Sequence, residues 1–226
     1  HLQGRMALYQ LEWAASLQPL RQYRRRFAGD LYQADAAFKL GMAYAQQDSM
    51  RQARRSWKAA ADAPSSGFDE DDYAKWQAAQ YLETLPTAVE LRLFAARMLF
   101  DGGQPRQALD TLRHLPMALR DLSAREAAEL DYRLGRIYHA LERPMLAKQH
   151  YRRCITRPAP QAEWMRAFST LYIAQLFEQA ANWQAARRYY TLALEDYEDY
   201  PYQAGLEQRA RSALNRLEDA EYELAD

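Results

Sequence analysis

The residues able to carry chemistry are few: His1, His114, His139 and His150, the single Cys154, and close carboxylate pairs such as Glu126 with Glu129 and Asp196 with Glu198. His139 and His150 flank one turn between helical segments, and two imidazoles could begin a zinc site. No cysteine or carboxylate stands at a spacing that completes a tetrahedral ligand set beside them. The carboxylate pairs would serve general acid–base chemistry only inside a desolvated cleft, and solvated helix faces carry such pairs routinely. Asp69-Glu70-Asp71-Asp72 is rich enough in oxygen to attract calcium, yet neither the ligand spacing nor the turn glycine of a calcium loop follows. Acids there suit the first turn of a helix, beside its positive end, with Asp69 as the N-cap. No P-loop, dinucleotide glycine fingerprint or nucleophile elbow occurs. One cysteine excludes an internal disulfide framework and a Cys-rich zinc site. The reading is therefore no catalytic residue, no cofactor, no metal and no enzyme.

Composition narrows the class further. Of 226 residues, 49% are hydrophobic, including 16 Tyr and 5 Trp, which is ample for a packed core. Lys plus Arg and Asp plus Glu stand at 30 each, and a chain without basic excess is a poor ligand for nucleic acid. The cluster Arg21, Arg24, Arg25 and Arg26 reads as a solvated helix face. No run of about 18 apolar residues occurs, so no membrane span is expected. The chain opens at His1 within a helical pattern, which suggests an excised domain with any export signal upstream.

The elements repeat. Gly41 and Ala53, Ala96 and Ala108, Gly135 and Ala147, and Ala174 and Ala186 are four small-residue pairs, each twelve positions apart. Trp57, Leu112, Tyr151 and Tyr190 follow four positions later, and Tyr44, Leu99, Tyr138 and Phe177 come three positions after the first small residue. Such a pattern predicts helix pairs, with Gly135 and Ala147 letting two helices approach and Tyr138 and Tyr151 filling the space above and below. A fifth copy around Gly4 to Tyr23 is weak in its second half. The steps of 55, 39 and 39 residues place the excess in connectors. Expected units are roughly 1–28, 31–63, 86–115, 124–157 and 161–198, with an extra helix over 69–82 and a terminal helix over 203–224. Thr87, Ser123 with Glu126, Pro144 and Asn182 mark helix starts. Cys154 falls in a small-residue slot and is expected to be a buried, inert thiol.

The phrases Tyr132-Arg133-Leu134-Gly135-Arg136-Ile137-Tyr138 and Ala96-Arg97-Met98-Leu99-Phe100-Asp101-Gly102-Gly103, with Ala213-Leu214-Asn215-Arg216-Leu217 near the end, resemble tetratricopeptide (TPR) repeats. More narrowly they resemble the C-terminal part of TPR proteins of undefined function from Bacteroidota. The resemblance implies an all-α, right-handed α-α superhelix, a solenoid over 1–226 closed by a capping helix. It also implies an envelope or periplasmic setting. In such proteins the first helix of each pair lines the groove, one turn from the packing glycine. Transferred by phase, the groove residues are Phe38 and Met42, Leu93 and Arg97, Tyr132, Arg136 and His139, then Leu171, Gln175 and Glu178. Members that hold a peptide's terminal carboxylate use Lys and Asn there; those residues are absent here. Arg97 and Arg136 share a register and would form an anion-accepting strip, or pair with acids such as Asp101 or Glu129. The apolar positions could instead simply pack the concave face. The implied function is a non-catalytic scaffold for a protein or peptide partner. A spacer or homo-oligomerisation element, and an accessory domain of an envelope enzyme complex, are the alternatives.

Overall fold

A small residue at one position decides what the helix opposite can place there, and this fixes the pairs. In the computed structural model, which describes residues 1–113, 115, 121–159 and 162–223 (side chains to 219), twelve α-helices and no strand occur among the described residues. One compact unit, His1–Met117, contains α1 (Leu2–Tyr9), α2 (Trp13–Arg26), α3 (Gln33–Ala45), α4 (Met50–Ala61), α5 (Asp69–Glu83), α6 (Ala88–Asp101) and α7 (Pro105–Arg113). The other, Ala118–Asp226, contains α8 (Ala124–Ala140), α9 (Pro144–Thr156), α10 (Glu163–Glu178), α11 (Trp183–Glu195) and α12 (Gln203–Glu223). No described helix is long and apolar enough to cross a membrane.

Five helix pairs share one turn. Leu11, Asp48, Gly103, Glu142 and Ala181 all adopt positive φ, from 53 to 78°, and each lies seven positions after its pair's first small residue. The next residue's N–H donates to the carbonyl five back: Glu12 to Ala7, Ser49 to Tyr44, Gln104 to Leu99, Arg143 to Tyr138 and Asn182 to Phe177. That is the closing bond of a left-handed helix cap. The first pair is thus a full member. Gly4, Ser16 and Leu20 occupy the small, small and large slots, and Ser16 and Leu20 are fully buried.

The glycines make room for an aromatic ring. A Cβ on Gly41 would stand 2.4 Å from Trp57 Nε1, and one on Gly135 would stand 2.5 Å from Tyr151 Cδ1. Each glycine therefore seats the ring sixteen positions on. Tyr138 is not part of that contact; half-buried, it stacks on His150 with ring centres 5.4 Å apart.

Caps follow the sequence at most starts. Thr87 with Glu90 and Ser123 with Glu126 form reciprocal capping boxes, Asn182 accepts from the Ala185 N–H at 3.1 Å, and Pro144 opens α9. Asp69 does not cap α5; Phe68 holds that position without a side-chain bond. The acid that matters is Asp71, fully buried. Its carboxylate accepts from the N–H groups of Tyr32 at 2.7 Å and Asp35 at 2.8 Å, and from Ser66 Oγ at 2.6 Å. It caps α3 from a different helix, satisfying donors that α3 cannot satisfy itself.

Stacking differs between the units. In the second, α9 packs on α8 and α10, α11 on α10 and α12, and the helices α8, α10 and α12 touch in that order. In the first, α2, α3, α4 and α5 pack in succession, but α6 lies against α1 and α3. Phe94 of α6 meets Phe38 edge-on, centres 6.2 Å apart, and Trp13 at 6.1 Å. Gln104 Nε2 donates to the Tyr9 carbonyl, 95 residues away, at 2.7 Å. Pair-upon-pair order is therefore broken inside this unit.

Candidate functional site

Several of the titratable residues singled out first are held in structural contacts. His150 Nδ1 lies 2.9 Å from Asp131 Oδ1, and Arg157 donates to the same carboxylate at 2.9 Å. Glu126 serves its capping box, Glu129 accepts from Arg133 at 2.9 Å, and Asp196 and Glu198 are exposed. Cys154 is fully buried, and that burial pushes its thiol up to about 12; it is not ionised at neutral pH and makes no nucleophile. Among the described residues, no group of three His, Cys, Asp or Glu could hold a metal ion. His114 lies outside the described residues.

The ten groove positions separate sharply. Phe38, Met42, Leu93, Tyr132 and Leu171 are all buried, none more than 4% exposed, so these five side chains pack the core and offer no groove surface. Arg97 lies over the Tyr73 ring at 5.3 Å and pairs with Asp101 at 3.5 Å. Glu178 accepts from the Tyr190 hydroxyl and from Arg216 at 3.2 Å. Arg136, His139 and Gln175 are half-buried on one face of the second unit.

That face is built by helical spacing. Tyr132, Arg136 and His139 recur at i, i+4 and i+7 along α8, and Phe168, Tyr172 and Gln175 at the same intervals along α10, so each set shares one side of its helix. Tyr172 is the centre. The Arg136 guanidinium carbon stands 5.8 Å from its ring centre, and that of Arg209, from α12, stands 5.6 Å away. Arg136 also lies over Tyr132 at 6.0 Å and Arg209 over Phe168 at 5.8 Å. His139 presents an edge-on ring to Tyr172 at 6.2 Å. Desolvation lowers its pKa first; a hydrogen bond with Gln179 opposes this and the Arg136 charge adds to it. Burial raises the Tyr132 hydroxyl far above its ordinary value, so it stays protonated.

Two cations sharing aromatic faces can do one thing well. Stacking on a ring holds a guanidinium flat while its N–H edge remains suited to a carboxylate fork. Arg209 is exposed and has no carboxylate within 4.0 Å among the described residues. The transfer by phase missed Phe168 and Tyr172, because it stepped a fixed 39 residues from α8 and arrived at buried Leu171, one place off; it did not extend to α12 and so did not reach Arg209. The signal was present as an i, i+4 aromatic pair followed by a glutamine. Compared with family models, curated proteins and solved structures, the chain matches none.

Proposed function

We propose that this chain is a non-catalytic binding scaffold of tetratricopeptide type, taking an acidic or C-terminal peptide segment of a protein partner on the face of α8, α10 and α12. The observation that carries the reading is Tyr172 flanked by Arg136 and Arg209 on a partly exposed surface. A right-handed superhelix of α8 to α12, with α12 as its cap, belongs to the same proposal. The matching turns at Glu142 and Ala181 and the serial packing of α8 to α12 support it. Along α12, Leu206, Ala210, Ala213 and Leu217 are buried while Arg209, Arg211 and Arg216 are exposed, as a terminal helix with one polar face requires.

The test is calorimetric titration with a glutamate-rich peptide ending in a free carboxylate. Arg136→Ala with Arg209→Ala should weaken binding at least tenfold, roughly the 1.4 kcal/mol that one charge-assisted contact readily supplies. Unchanged affinity in that double variant rejects the assignment.

A further inference from the structure

The first unit holds a second cationic surface, unrelated to the peptide face. Arg21, Arg24 and Arg25 project from one side of α2 at i, i+3 and i+4, and Arg55 projects from α4 opposite them. Together they line an open groove whose floor is α3, where the buried Tyr44 ring carries the Arg21 guanidinium at 5.3 Å. Gln52 adds an amide to the α4 wall. Arg21, Arg25 and Arg55 are exposed and Arg24 is half-buried; what sets the run apart is that it is not paired with acids. None of the four arginines has a carboxylate within 4.0 Å among the described residues. Arg24 Nε is shielded from solvent with no hydrogen-bond partner, and desolvation lowers the Arg24 pKa with no opposite charge to offset it. Gathering four like charges in one concavity is unfavourable unless an anion accompanies them.

We infer that the groove between α2 and α4 is a binding site for a phosphate-bearing small molecule, held by Arg21, Arg24, Arg25 and Arg55. The guanidinium fork matches phosphate oxygens two at a time, and two facing walls suit a group with oxygens on both sides, such as a pyrophosphate. The balanced charge of the chain as a whole disfavours an extended polyanion, which would need basic residues well beyond one groove.

The experiment is titration calorimetry of the full chain with inorganic pyrophosphate at low ionic strength, with melting curves for every variant. One ligand per chain is expected, with affinity falling as salt rises. Arg24→Gln with Arg55→Gln should weaken binding about tenfold or more. Arg25→Gln, at an exposed position with no fold to disturb, should weaken it severalfold alone. Neither change should alter titration with the glutamate-rich peptide. Absence of pyrophosphate binding overturns the proposal, as does binding that both variants leave intact. Retention on phosphatidylserine vesicles without pyrophosphate binding would identify a diffuse basic patch and also overturn it.

Discussion

The same repeat phase does opposite work in the two units. In the first, the face of α1 and α3 is covered by α6. Phe38 meets Tyr81 at 6.1 Å and Phe94 at 6.2 Å, and the charged pair Lys39–Asp35 is sealed at 2.6 Å. In the second, the equivalent face of α8 and α10 keeps Arg136, His139 and Gln175 half-exposed around Tyr172. The connector decides this. Between the second and third pairs the chain inserts α5, whose Asp71 ties it to the start of α3, and α6 then returns onto α1. Between α9 and α10 no such helix intervenes, and packing stays serial. A repeat unit does not by itself supply a groove; the segment between units determines whether one remains.

The largest effect should come from unsealing the covered face. Phe38→Ala removes a buried ring from contact with Tyr73, Tyr81 and Phe94 and should cost about 3–5 kcal/mol in denaturant melts. A loss under 1 kcal/mol would mean α6 is not truly seated there. Gly135→Leu drives a side chain into the Tyr151 ring and should cost about 1–3 kcal/mol; a parent-like melt would contradict the ring seat. Tyr151→Phe runs the other way. The Tyr151 hydroxyl is buried without a hydrogen-bond partner, so deleting it should be neutral or stabilising by about 1 kcal/mol. A clear loss would reveal a hydroxyl partner.

Smaller still is the pH response of the open face. Burial holds His139 below its ordinary 6.5, so as pH falls the unfolded chain takes up that proton first. Its contribution to stability is full above 6.5 and is lost as pH drops toward the folded value. His139→Gln should therefore flatten the decline between about pH 7 and pH 5. An identical decline in the variant would show that His139 takes up its proton equally in the folded and the unfolded chain.

Much of the fold could be read from residue types. Thr87, Ser123 and Asn182 start the helices they announced, because a short polar side chain over three exposed N–H groups has few other uses. Cys154 is buried where its slot predicted. Two things were hidden. The first pair looked weak since Ser16 and Leu20 lack the usual alanine and aromatic, although volume, not identity, is what the slot selects. The return of α6 onto α1 leaves no periodic trace at all, since Gln104 and Tyr9 are 95 residues apart. For the candidate site, sequence phase picked Arg136, His139 and Gln175, which the fold leaves half-buried, but could not tell which groove positions it would bury.

The most direct test is amide hydrogen exchange of the full chain with and without a saturating glutamate-rich peptide bearing a free C-terminal carboxylate. Slowed exchange is expected in α8, α10 and α12, with α3 and α6 unchanged. Protection appearing in α3 and α6 while α8, α10 and α12 exchange as before would contradict the account.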